Sequence, residues 1–198
     1  MANFLIAYKI TSEHEGLYGN NASDEGGETF KGIARNRHPN WIGWNDVDII
    51  KSSFSFPKFL DALRNDQKLE NKVRFFYMIK YWDKIRGDDI QDQDIANELY
   101  DNAVNMGAGR SISFLQEALN LLNRNGKSWP EIKVDGGLGP QTFNTMNIAF
   151  KERTGRDIIF NIINLLQGEF YLNLTRRKPT QEEFLRGWAS RVTIKRIR

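Results

Sequence analysis

The stretch Glu15-Gly16-Leu17-Tyr18-Gly19-Asn20-Asn21-Ala22-Ser23-Asp24-Glu25-Gly26-Gly27-Glu28-Thr29-Phe30-Lys31-Gly32-Ile33 decides how this chain is read. Residues 3–15 lead into it as a first helix: Phe4, Leu5, Ile6 and Tyr8 give a loose apolar face, Glu15 closes it, and Gly16 fits a helix stop. The Gly, Asn, Ser and Asp run from Gly16 to Gly27 then predicts turns and a short, irregular hairpin. One connector thus carries a carboxyl at a helix end, a second carboxyl at Asp24 and a hydroxyl at Thr29. Splitting a glycosidic bond needs a protonated carboxyl for the leaving oxygen, plus a carboxylate or ordered water for the oxocarbenium-like centre. A Glu ending a packed helix is partly shielded from water, which raises its pKa and suits Glu15 to be the donor. Asp24, on the more hydrated loop, stays ionised, and Thr29 can hold the attacking water. Spacing alone leaves a plainer reading open, with Glu15 a solvated surface residue, Asp24 a turn residue, and Glu13, Glu25 and Glu28 as rival carboxylates.

Outward from this stretch the chain reads as mostly α, with one small irregular or β-containing segment near the N-terminus. His38-Pro39-Asn40-Trp41-Ile42-Gly43-Trp44 reads as an aromatic loop, and helical patterning begins at Pro57. Phe59, Leu60 and Leu63 fit one short helix; Leu69, Val73, Phe76 and Ile79 fit the next. After a break at Gly87-Asp88-Asp89, Ala96, Leu99, Ala103 and Met106 define a helix stopped by Gly107 and Gly109. Ile112, Leu115, Leu119 and Leu122 form the cleanest amphipathic stripe. Pro140 sits where a helix can start, and Ile159, Ile162, Ile163, Leu166 and Phe170 mark a long buried helix.

Composition narrows the function classes. The 198 residues, 40% of them hydrophobic, suffice for one compact domain or two small lobes. A net charge of +3 suits an anionic partner such as wall polymer, membrane surface or nucleic acid without choosing among them. With no Cys and two His, thiolate sites, disulfides and His clusters are excluded, so neither metal nor cofactor is expected. The first residues lack a basic region and a long apolar run, so no signal peptide is expected, and no segment approaches the roughly 18–20 apolar residues of a membrane span. The expectation is synthesis in the cytoplasm and action at the cell wall or periplasm after release or export.

Glu15-Gly16 followed by Asp24-Glu25-Gly26-Gly27-Glu28-Thr29-Phe30-Lys31-Gly32-Ile33 resembles the N-terminal signature of glycoside hydrolase family 108, the bacterial and phage N-acetylmuramidases once labelled secretion activators. The nine-position step from Glu15 to Asp24 is also similar to the acid/Asp/Thr arrangement of small phage lysozymes, whereas the five positions from Asp24 to Thr29 are one fewer than theirs. The family pattern has Glu-Gly-Gly where this chain has Glu15-Gly16-Leu17, and a leucine does not take positive φ cheaply. Three later runs resemble the predicted peptidoglycan region of the same proteins, in order: Asp101 to Gly107 with Leu115 to Asn120, Asp135 to Thr142, and Phe184 to Val192. The resemblance implies a lysozyme-like, mainly α fold, with a catalytic region over 1–90 and a helical peptidoglycan-binding region over 91–198, sharing one core. It implies cleavage of the β-1,4 bond between N-acetylmuramic acid and N-acetylglucosamine, with Glu15 as general acid. Asp24 and Thr29 are expected to position or activate the water for inversion, with retention as the alternative that the carboxylate separation would decide.

Other residues carry two readings each. Tyr18, Trp41 and Trp44 present faces that could stack on sugar rings, or fill a core. Asn105 could bond an acetamido group or bridge helices. The Asp135–Thr142 loop is either a binding loop or a turn feeding a helix, and the C-terminal Arg and Lys residues either meet anionic polymer or form a solvated face. The expected partner is peptidoglycan rather than nucleic acid, for which no recognition motif accompanies the charge. The rival functions are a lytic transglycosylase and a non-catalytic wall-binding or secretion-assisting protein.

Overall fold

The computed structural model describes residues 1–12, 16–20 and 26–196. The chain divides into two compact units, one of Phe4–Lys80 and one of Tyr81–Arg198 together with Met1–Asn3. The predicted class is what is found: a mainly helical, lysozyme-like fold with a small antiparallel sheet near the N-terminus.

The Phe4–Lys80 unit runs α1 (Phe4–Ser12), β1 (Tyr18–Asn20), β2 (Glu28–Phe30), β3 (Ile33–Ala34), α2 (Trp44–Ser53), α3 (Lys58–Asn65) and α4 (Gln67–Tyr77). The strands pair in order, with Tyr18 opposite Phe30, Gly19 opposite Thr29, and Phe30 opposite Ile33. Lys31 and Gly32 join β2 to β3 with φ of 43° and 76°, the left-handed pair that a two-residue hairpin of this twist demands. Positive φ therefore falls at Lys31, whose amide donates to the Leu17 carbonyl at 2.9 Å, while Leu17 stays in ordinary backbone space. Asp66 caps α4 by accepting from the Leu69 amide at 2.9 Å.

One helix was not legible. α2 occupies residues read as the end of an aromatic loop and a featureless stretch before Pro57. Its inward contacts are Trp44, Val47 and Ile50, three residues apart, and exposed Ile49 breaks the face. Ten residues with so narrow a stripe give little periodicity to read.

In the second unit α5 (Gln93–Met106), α6 (Ala108–Leu121) and α8 (Gly155–Arg177) pack together, with α7 (Pro140–Ala149) and α9 (Glu182–Ala189) around them. Asp92 caps α5 through the Ile95 amide at 3.1 Å. The break between α5 and α6 needs one glycine rather than two: Gly107 turns the chain at φ 89°, and Gly109 already lies in α6. Pro140 starts α7 as expected. The long helix α8 buries Ile159 and Ile163, but Asn164, Gln167 and Thr175 line its inner face where Ile162 and Leu166 were expected. Residues 1–3 belong to this unit: the Ala2 amide donates to the Ile90 carbonyl at 2.8 Å, and Asn3 exchanges hydrogen bonds with Gln93 at 2.7 and 3.2 Å. No helix among the described residues is long and apolar enough to cross a membrane.

Candidate functional site

Of the residues expected to carry the chemistry or bind substrate, Tyr18 lies in β1 and Thr29 in β2. Glu15 and Asp24, with Glu13, His14 and Glu25, lie outside the described residues. Thr29 is described, in the central strand between Gly19 and Ala34. Residues directly opposite in an antiparallel pair share a face, and successive residues alternate. Tyr18, Asn20, Glu28, Phe30 and Ile33 therefore project to one side, Gly19, Thr29 and Ala34 to the other. The first side is the packed one: Phe30 and Ile33 are fully buried, and Phe30 stacks on Trp41 at 6.3 Å. Thr29 thus presents its half-buried hydroxyl, donating to the Gly27 carbonyl at 3.3 Å, away from the aromatic core.

Tyr18 stands on the opposite side from Thr29. Its ring meets Phe59 edge-on at 5.2 Å and its hydroxyl donates to Glu28 Oε1 at 2.7 Å. Trp41 and Trp44 are core residues and offer no stacking face: they pack against each other at 5.1 Å, Trp44 Nε1 donates to the His38 carbonyl at 2.8 Å, and the Arg35 guanidinium lies 4.2 Å over the Trp44 ring.

Two described carboxylates of this unit, Glu28 and Glu70, are held ionised by neighbouring cations. Glu28 accepts from Tyr18 and from Lys51 Nζ, both at 2.7 Å, and its second oxygen sits 2.7 Å from Arg35 Nε. Burial alone would push its pKa up, but the Lys51 and Tyr18 hydrogen bonds and the two cations outweigh that and hold it low. Glu70 is held likewise: burial is overcome by Lys31 Nζ at 2.5 Å and Arg74 Nε at 2.9 Å, and Tyr8 adds a hydrogen bond at 3.3 Å. A group kept ionised in this way holds no proton to donate at neutral pH. Glu28, a rival on spacing, is thereby a structural anion.

The second unit holds the opposite case, which sequence reading did not single out. Glu98 on α5 is buried, and desolvation, helped by the Asp101 charge, pushes its pKa up to about 8 against weaker opposing hydrogen bonds from Asn164 and Asn102. It keeps its proton at neutral pH, but the residue is only 8% exposed and its carboxyl is bonded by Asn102 Nδ2 at 3.1 Å. The signal was present in the i, i+4 pair Glu98 and Asn102 on an otherwise apolar helix face. Asn105 is on the same helix, exposed, with its amide folded back onto the Asp101 carbonyl at 2.7 Å and carboxylate at 3.1 Å. Among the C-terminal cations, Arg191 pairs with Asp101 at 2.8 Å, and Lys195 pairs with Asp94 and, at 3.5 Å, with Asp157. Both are committed to holding the chain end on α5 and α8. Among the described residues no group of three or more His, Asp or Glu side chains is arranged to hold a metal.

The Asp135–Thr142 loop is organised by a buried amide. Gln116 accepts from the Asp135 and Gly136 amides at 3.0 and 2.9 Å, and donates to Asp135 Oδ1, the Gly137 carbonyl and Thr142 at 3.0, 2.9 and 3.2 Å. Gly136 has φ 71° and passes so close to Gly109 that a Cβ would lie 2.7 Å from its carbonyl oxygen. This is the turn-to-helix role of the loop. Gln116→Ala leaves two backbone amides without partners and should cost about 2–4 kcal/mol, which thermal denaturation will read as a drop of roughly 5–12 °C for a chain of this size.

Residues 8–107 match the family described as Glycosyl hydrolase 108, and residues 110–193 match a Predicted Peptidoglycan domain. Among solved structures, that of Brucella abortus SagA is similar in fold, with a TM-score of 0.59 at 23% identity, covering 96% of this chain and 88% of that one. No curated protein matches this chain.

Proposed function

We propose, for a chain that belongs to the glycosyl hydrolase 108 family and acts as a peptidoglycan hydrolase, the finer activity of an N-acetylmuramidase cutting the β-1,4 bond between N-acetylmuramic acid and N-acetylglucosamine. The observation that carries this reading is the hairpin register: it turns the Thr29 hydroxyl to the face of the sheet that the aromatic core does not use. In this reading Glu15 donates a proton to the glycosidic oxygen as that bond breaks. Asp24 and Thr29 hold a water that attacks the anomeric carbon from the far side, and Asp24 receives its proton. The electrostatics support the assignment only in part: of the described carboxylates, Glu28 and Glu70 are held ionised by their cation partners and are poor proton donors. Residues 1–90 carry the chemistry, and residues 91–198 engage the wall polymer at the cell wall or periplasm. Tyr18 acts from the packed side by fixing Glu28 and the hairpin, while exposed Asn105, whose Nδ2 is held by Asp101, keeps its Oδ1 to accept an acetamido N–H.

Digestion of purified peptidoglycan, with the products read by mass spectrometry, tests the reaction. Reducing N-acetylmuramic acid ends that take up one oxygen from 18O-water are the expected result. Anhydro-muramic ends would instead assign a lytic transglycosylase, and binding to sacculi without soluble fragments would assign a non-catalytic wall protein.

A further inference from the structure

We propose that the groove at the end of α6, lined by Asn120, Asn123, Arg124, Asn125 and Glu131, binds the stem peptide of peptidoglycan rather than its glycan; this rests on the wall polymer being the substrate. The groove has a volume of about 700 Å³, room for several residues of extended peptide. An apolar pocket of about 200 Å³ shares Leu121 and Arg124 with it and continues to Trp129, Ile158 and Ile159.

The loop forming the groove is built at some cost. Arg124, Asn125 and Gly126 take positive φ in succession, 55°, 59° and 78°, and two of the three are not glycine. Such a run is unfavourable for L-residues and persists only where the surroundings over-determine it. Here they do: Asn123 Oδ1 accepts the Gly126 amide at 3.0 Å, Trp129 Nε1 donates to the Leu119 carbonyl at 2.9 Å, and Asn120 holds the Ile132 amide and carbonyl at 2.9 and 2.8 Å. The groove is therefore preorganised before any ligand arrives.

Its chemistry selects peptide over sugar. Pyranose rings favour flat, exposed aromatic faces, and the one aromatic here, Trp129, is buried with its indole N–H already used. The walls instead carry amides and two opposite charges. Arg124 is largely exposed, and its contact to Glu152, at 3.5 Å, is loose, so much of its donor fork can turn to a carboxylate. Glu131 is exposed and can meet an ammonium group. Leu121, 63% exposed, offers an apolar surface for alanine methyl groups. A short peptide bearing carboxylates, an ammonium group and alanine side chains satisfies all three.

The test is an NMR titration and calorimetry on the full chain with three probes. These are the free tetrapeptide L-Ala–γ-D-Glu–meso-diaminopimelate–D-Ala, the same peptide lacking the diaminopimelate ammonium, and a peptide-free glycan oligomer. The tetrapeptide should shift amides of residues 120–131, with affinity falling about tenfold in Arg124→Ala and in Glu131→Gln, both checked for unchanged melting. Loss of the ammonium should mimic Glu131→Gln and leave Glu131→Gln itself unaffected. Tetrapeptide shifts elsewhere, equal affinity in both variants, or the same shifts from the peptide-free glycan would overturn the proposal. Wild-type digestion of sacculi is read separately: failure to release muramic ends removes the hydrolase assignment but leaves the titration standing.

Discussion

Glu15→Gln should lower release of soluble muropeptides by about 10²–10⁴-fold, the span over which a positioned general acid contributes, with no change in melting temperature. The substitution keeps the side-chain volume and removes only the transferable proton, so a folded, inactive chain is the signature of a proton donor. The comparison that gives the result its meaning is Glu28→Gln. Glu28 is the ionised centre of a cluster with Tyr18, Lys51 and Arg35. Its replacement leaves two cations facing a neutral amide, so it should lower stability more than it lowers turnover per folded molecule. Asp24→Asn should fall between, weakening water activation by about tenfold or more. If Glu15→Gln cleared walls at the wild-type rate, the proton would have to come from another carboxyl, and Glu28 and Glu70 are unsuited because both are held ionised.

The second large effect is on stability and needs no substrate. Glu98 has its pKa raised from 4.5 to about 8 in the folded chain. Below about pH 4.5 both folded and unfolded chains hold the proton, and the group contributes no pH dependence. Between about 4.5 and 8 the unfolded chain releases its proton while the folded chain keeps it, so stability falls with rising pH. Above about 8 both are ionised and the full penalty is in place, on the order of 4–5 kcal/mol at about 1.4 kcal/mol per pKa unit. Glu98→Gln keeps the shape and hydrogen-bonding capacity without the ionisation. Its melting temperature should match wild type near pH 5 and exceed it by about 10 °C near pH 8 for a chain of this length. Parallel melting curves for the two proteins from pH 4 to 9 would show that Glu98 does not titrate as its burial requires.

What could be read from the residues depended on how far each signal was local. The stripe of α6 and the length of α8 follow from periodicity over three or more turns and the start of α7 from Pro140, and each was legible, although the full set of residues that α8 turns inward was not. The hairpin was legible as a turn-rich segment, but its register was not: it is fixed by the Lys31-Gly32 turn and by Phe30 and Ile33 entering a core assembled from distant residues. The alternation that parts Thr29 from Tyr18 therefore became visible only with the strands paired. α2 stayed hidden because ten residues with one narrow inward stripe expose too little of a pattern. The polar residues inside the second unit were hidden for the opposite reason, since Asn164, Gln167 and Glu98 occupy positions that hydropathy assigns to solvent. Some of their partners are remote in sequence: Glu98 on α5 takes a hydrogen bond from Asn164, 66 residues away on α8, and Asn164 accepts from the Thr193 amide near the chain end. The roles of Trp41 and Trp44 were open from sequence and are settled by burial.

The first three residues have a consequence beyond their few hydrogen bonds. Because Met1–Asn3 fold with Tyr81–Arg198, the Phe4–Lys80 unit is a guest domain, threaded into its host at two points of the chain. A guest tethered at both ends can melt as a closed loop while its host stays native, at an entropic cost that rises only slowly with loop length. Hydrogen exchange should then report two cooperative blocks whose border follows the unit boundaries after Asn3 and after Lys80. Cutting the tether at Asn3 would free the guest from its ring and change its refolding rate more than its contacts.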